Sequence, residues 1–251
     1  MPGWMQATLW ALLGGLALVV GAVLGWFVRV PGRVIAAVMA FGAGVLISAL
    51  AFDLTQEAAN TGGVLPTTLG FLAGALAYVG ANAALARRGA RHRKRSGHQQ
   101  AADVDKPGSG TAIAIGALLD GIPESVVLGL SVLVGGAVSA PFIAAVAISN
   151  LPEGLSSAAG MRNAGRSVRY TLGVWSGIAV ASALSAGVGY VTLAAAGPAV
   201  IAVITAIAAG AILTMVADTM IPEAFEQTHM LTGLITALGF LVAFAISRAG
   251  G

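Results

Sequence analysis

The chain has 251 residues, 57% of them apolar and only 9% charged, whereas a soluble domain carries about a quarter charged residues. So little charge cannot cover a water-facing surface, which points to a polytopic membrane protein. The absence of cysteine excludes disulfides, thiolate metal sites and Cys nucleophiles, and the isoelectric point near 9.8 traces to loop-borne basic residues rather than to a face for nucleic acid.

Eight apolar segments can be cut at Gly, Pro and charged residues, at 7–28, 34–58, 64–86, 111–134, 140–161, 168–195, 198–225 and 230–248. Each is long enough to cross a hydrocarbon core of about 30 Å, which takes about 20 helical residues, and tilt absorbs any excess. The runs are continuously apolar rather than alternating, so helices are expected and a barrel is not. The expected architecture is one all-α transmembrane domain over 1–251. The start, "MPGWMQATLW", lacks a basic n-region and a cleavage site, so the first segment reads as a retained span. The 35 glycines suit close helix packing in lipid and permit a homodimer. Trp4, Trp10, Trp26 and Trp175 are expected to anchor span ends at the interface.

Basic residues orient the bundle. Arg29 and Arg33 lie between spans 1 and 2. Arg87, Arg88, Arg91, Arg93, Lys94, Arg95 and Lys106 lie between spans 3 and 4, and Arg162, Arg166 and Arg169 between spans 5 and 6. All but Arg248 of the 13 Lys and Arg thus fall on one side. The positive-inside rule makes that side cytoplasmic and puts both termini outside. The loop at 87–110, with "RRGARHRKRSGH", is expected to set topology and to be largely disordered. His92 and His98 within it are weak candidates for collecting metal.

The chain also repeats itself. "GVLISALAFDLTQEA" in span 2 resembles "GAILTMVADTMIPEA" in span 7, with Gly44 matching Gly210, Ala51 matching Ala217, and Glu57–Ala58 matching Glu223–Ala224. "LGFLAGALA" in span 3 likewise resembles "LGFLVAFAI" in span 8. Spans 1–3 and 6–8 then form one repeated unit of three helices, which places the second copy inverted in the membrane. Spans 4 and 5 form a smaller repeat around Pro123–Glu124 and Pro152–Glu153. A 3+2+3 inverted repeat is a transporter plan, with its site near the midplane.

The apolar spans 4 and 5 each bury acids beside a helix breaker, in "LLDGIPESVVLGL" and "AISNLPEGLSSAAG". Positions four apart share a helical face, so Asp120 pairs with Glu124 and Ser149 with Glu153. Pro123 and Pro152 cannot donate to the carbonyls of Leu119 and Ile148. One ionisable group at the centre of a membrane helix costs about 2.5–3.5 kcal/mol on insertion scales. Three such groups require a cation, protons or water. No Lys or Arg lies inside a span, so an internal salt bridge is not expected. A divalent metal held by Asp120, Glu124, Ser149, Asn150 and Glu153 explains the pairing best, and protonated carboxyls at two kinked helices are the structural alternative.

These paired patterns resemble those of the ZIP (Zrt-, Irt-like) metal transporters, in which span 4 typically carries H-N-x-P-E-G and span 5 H-x-x-P-E. The likeness runs over nearly the whole chain, and "DTMIPEA" in span 7 resembles the family's E-L-x-P-E-A. It implies a carrier of zinc, with Glu124 and Glu153 as the central pair and no cofactor beyond the transported Zn, Mn, Fe or Cd. The chain departs from the pattern at Asp120 and Ser149, which stand where the family has His, at Gly121 in place of Asn, and at Val180 in place of a span 6 Glu. One metal site is therefore expected rather than a bridged pair. Oxygen ligands without imidazole shift preference toward harder ions such as Mn²⁺.

Asp53 and Glu57 near the outer end of span 2 form a candidate access site, and Asp218, Glu223, Glu226 and His229 at the inner end of span 7 a candidate exit site. Ser125, Ser131, Ser156 and Ser157 are candidates to line the path, against the commoner role of hydroxyls bonded back to their own helix. No P-loop argues against ATP-driven transport, and no H-E-x-x-H against a metalloprotease. The reading is a non-enzymatic carrier in a bacterial inner membrane, with metal ions and lipid as partners. A receptor-like protein that binds metal without flux and an intramembrane metal-dependent enzyme remain as alternatives.

Overall fold

A computed structural model describes residues 1–94, 100, 109–135 and 140–249. Among them there is no strand, and eight long helices account for nearly all of the chain. These are α1 (Gly3–Phe27), α2 (Gly32–Gly62), α3 (Val64–Ala90), α4 (Ser109–Gly135), α5 (Ala140–Asn163), α6 (Val168–Leu193), α7 (Pro198–Thr228) and α8 (Leu231–Ala249). Seven of them are long and apolar enough to cross a membrane. The eighth, α5, is diluted by Ser149, Asn150, Pro152 and Glu153.

The helix ends follow local chemistry. Ser167 accepts the Tyr170 N–H at 3.2 Å to cap α6, which satisfies one of the orphan donors of a first turn. Pro198 opens α7 after Gly197, where a missing N–H costs nothing. Gly63 parts α2 from α3 with φ of 85°, a value that suits glycine.

Apolar side chains are turned outward in helical rows. Leu65, Leu69, Leu72 and Leu76 on α3, and Leu231, Leu234, Leu238 and Leu241 on α8, are all at least 50% exposed. Spacings of three and four residues put each row on one helix face, as a lipid-facing surface requires. Inward positions are instead small. Gly44 faces the Thr236 carbonyl of α8, and its sequence match Gly210 faces the Phe71 carbonyl of α3. A Cβ at either would collide with backbone, so glycine sets how closely α2–α8 and α3–α7 pack. Helix α1 runs against both α5 and α6, and α4 packs chiefly on α6.

Three helices widen to a π-turn, α3 at Ala86–Ala90 and, at places matched in the sequence repeat, α2 at Leu50–Thr55 and α7 at Val216–Met220. The two matched turns each carry one Asp, Asp53 or Asp218. Trp4 and Trp10 are exposed as anchors would be, but Trp175 is only 1% exposed and packs under Leu18, Ala22 and Ala158. Its position inside α6 rather than at a helix end explains why it does not reach the interface.

Candidate cation site

Helices α4 and α5 continue through Pro123 and Pro152, and their acids lie near mid-helix. Asp120, Glu124 and Glu153 are 2%, 3% and 4% exposed. Burial of this order leaves a carboxyl either paired with a cationic partner or protonated and neutral.

Asp120 finds several. Its Oδ1 accepts from the Tyr78 hydroxyl at 2.5 Å and from Arg93 Nη2 at 2.9 Å, and its Oδ2 accepts from Arg93 Nε at 3.1 Å. This is a two-pronged guanidinium–carboxylate pair, the strong form of such a contact. Arg93 Nη1 donates to the Asn82 side-chain oxygen at 2.7 Å, and Nη2 also reaches the Tyr78 oxygen at 2.8 Å. Lys94 places its Nζ 3.3 Å from Asp120 Oδ2 and 2.9 Å from Glu153 Oε2. Burial pulls the Lys94 amine toward the neutral form, but Asp120 and Glu153 outweigh it and hold the pKa above its ordinary value.

These contacts correct one expectation. The internal salt bridge that the apolar spans seemed to rule out exists, because its cations come from the turn after α3 and not from a span. That turn, at 91–94, is tucked inward, with Arg93 and Lys94 each 3% exposed. Gln100 Nε2 donates to the Arg93 carbonyl at 2.9 Å and to the Ser157 carbonyl at 3.0 Å, and the Ser156 hydroxyl bonds the Lys94 carbonyl. Gly116 on α4 leaves the slot for the Arg93 side chain, since a Cβ there would lie 2.6 Å from its Cδ. Arg95, His98 and Lys106 lie outside the described residues.

Glu124 stands apart from this network. It borders a cavity of about 10 Å³ with Gly121, Ser125, Asn150 and Ser182, roughly the room one water needs. The Ser182 hydroxyl is buried without a hydrogen-bond partner among the described residues. Asn150 donates from Nδ2 to the Gly14 carbonyl at 3.1 Å. Ser149 bonds back to the Val146 carbonyl at 2.9 Å, and Ser125 and Ser131 bond back likewise to Gly121 and Val127. Val180 is 52% exposed, so the side chain at that position points out of the bundle, while Ser182 points in. Among the described residues, no three His, Asp or Glu side chains converge as a metal cage.

Asp53 and Glu57 do come together. Both border two neighbouring cavities of about 320 and 330 Å³, and Asp53 accepts from Ser247 at 3.1 Å. The first cavity reaches Val127, Leu130 and Ser131 on α4. Toward the end of α7, Glu223 and Glu226 border a cavity of about 230 Å³ with Arg29 and Arg162, and Ser156 Oγ lies 3.2 Å from a Glu223 carboxylate oxygen. Asp218 and His229 are exposed and are not among its lining residues.

Tyr78, Asn82, Arg93, Lys94 and Ser182 are site residues that the sequence reading passed over. Tyr78 and Asn82 carry a signal, being a polar pair four apart on one face of an apolar span. The Arg93–Lys94 pair carries only the unmet charge of the three acids. No protein-family model matches the chain, and no curated protein matches it.

Proposed function

We propose that this chain is a carrier of divalent metal cations, zinc first and manganese, iron or cadmium next, moving them toward the cytoplasm of a bacterial cell across its inner membrane. The observation that supports it best is the burial of Asp120, Glu124 and Glu153 at mid-helix in two Pro-interrupted helices. A purely structural bundle gains nothing from three acids at that depth. Asp120, Glu124, Ser149, Asn150 and Glu153 would take the cargo, with Asp53 and Glu57 gathering it outside and Asp218, Glu223, Glu226 and His229 releasing it inside. An oxygen-only ligand set suits manganese as well as zinc.

In this reading the eight helices cross the membrane in a 3+2+3 inverted repeat, with both termini outside. The matched π-turns and the matched contacts of Gly44 and Gly210 support that symmetry. Alternating access follows from rocking of the two three-helix units about α4 and α5. The likeness of the P-E pairs to those of ZIP transporters supports the same assignment, and no enzymatic step is required.

The ion pairs of Lys94 with Asp120 and Glu153 favour one competing reading, a receptor-like protein that binds metal but carries no flux. Uptake of Zn²⁺, Mn²⁺, Fe²⁺ and Cd²⁺ into proteoliposomes separates the two. Carrier function predicts flux that Glu124→Ala or Glu153→Ala abolishes. Binding without flux for every ion would leave the receptor-like reading.

A further inference from the structure

Lys94 Nζ lies within 3.3 Å of one carboxylate from α4 and 2.9 Å of one from α5, the position between two acids that a bound metal ion would take. We infer that Lys94 is a surrogate cargo, whose ammonium occupies the cation site when it is empty and is displaced when a divalent metal binds. This inference rests on the carrier reading of the same site.

Charge makes the two occupants exclusive. A metal that takes both Asp120 and Glu153 would stand beside the ammonium in a buried, weakly screening site, and like charges there repel strongly. Arg93 differs from Lys94 in this respect. Its fork is fixed on Asp120, Tyr78 and Asn82, whereas Lys94 has a flexible stem and a point charge with no fixed geometry. Lys94 is therefore the group that yields. Arg93 keeps the turn docked, aided by Gln100 and by Ser156.

The arrangement also answers a problem every carrier of this kind faces. After unloading, the vacant site must pass back through the membrane with its acids buried, and uncompensated carboxylates at that depth are costly. With Lys94 in place, Asp120 and Glu153 remain paired and the empty carrier resets. The corollary is that the native chain binds metal more weakly than the same acids would without the lysine, because the metal must first displace it.

Lysine reactivity in the full-length protein reads this directly, since Lys94 and Lys106 are the only lysines. In detergent, a water-soluble amine reagent followed by mass spectrometry should label Lys94 slowly without metal. Saturating Zn²⁺ or Cd²⁺ should raise that rate at least tenfold relative to Lys106. Lys94→Met should tighten Zn²⁺ binding at least tenfold, and Lys94→Arg, which keeps the charge, should restore the weaker affinity. Zn²⁺ bound in a Glu153-dependent manner with Lys94 labelling unchanged would overturn the surrogate role and leave the carrier reading standing. No metal bound by the native chain or by Lys94→Met would overturn both.

Discussion

Asp120 and Glu153 in the middle of the bundle each lie within 3.3 Å of a buried cation. Asp53 and Glu57, in the C-terminal half of α2, instead line open cavities in which Arg248 is the one basic lining residue among the described residues. The same residue type is thus used in two ways, and depth decides which. A carboxyl buried at mid-helix must be paired with a cation or be protonated, because desolvation there exceeds what a single hydrogen bond returns. A carboxylate facing water-sized space needs no fixed partner and stays available to attract cations. On the proposed carrier reading, the core acids carry stability as well as binding, and Asp53 and Glu57 carry access.

The comparison breaks most severely at Arg93. Arg93→Ala leaves Asp120 buried without its fork and should destabilise by about 3–5 kcal/mol, read as a fall in thermal midpoint in detergent. Arg93→Met with Asp120→Leu removes both charges and should recover most of the loss. Gly116→Ala fills the slot of the Arg93 side chain and should cost about 1–3 kcal/mol by overpacking, again in the thermal midpoint. Tyr78→Phe removes one donor from Asp120 and should cost about 1 kcal/mol. A double-mutant cycle with Asp120→Asn checks that the loss is shared between the two. At Asp53 and Glu57 the stability effect should nearly vanish. Asp53→Asn and Glu57→Gln should stay within about 0.5 kcal/mol of the native chain, yet slow Zn²⁺ uptake at subsaturating metal, an effect that fades as salt screens the field. Equal destabilisation by the inner and outer substitutions would erase the distinction.

Much of this was legible beforehand, for identifiable reasons. Helix positions follow from runs of apolar residues ended by Pro31, Gly63 and Gly197–Pro198, and the eight expected segments coincide with α1–α8 to within a few residues. Asp120, Glu124 and Glu153 were legible because acids beside prolines are conspicuous in such a background. Gly44 and its sequence match Gly210 each admit a neighbouring backbone. Lys94 was not legible as a site residue, because a residue counted in a loop reaches mid-bundle only when its turn folds back. That turn follows Gly89, whose φ of 102° redirects the chain, and periodicity is blind to such a return. Ser182 was missed through helical phase: it lies two residues from Val180 and therefore nearly opposite to it on α6.

X-ray absorption of the Zn²⁺-loaded full-length protein tests the central claim most directly. If the buried acids of α4 and α5 hold the cation, zinc should show an oxygen first shell near about 2.0–2.2 Å, with no imidazole signature, and the bound metal should be lost in Glu153→Gln. An imidazole shell that persists in Glu153→Gln would place the metal at His92, His98 or His229 and contradict the account.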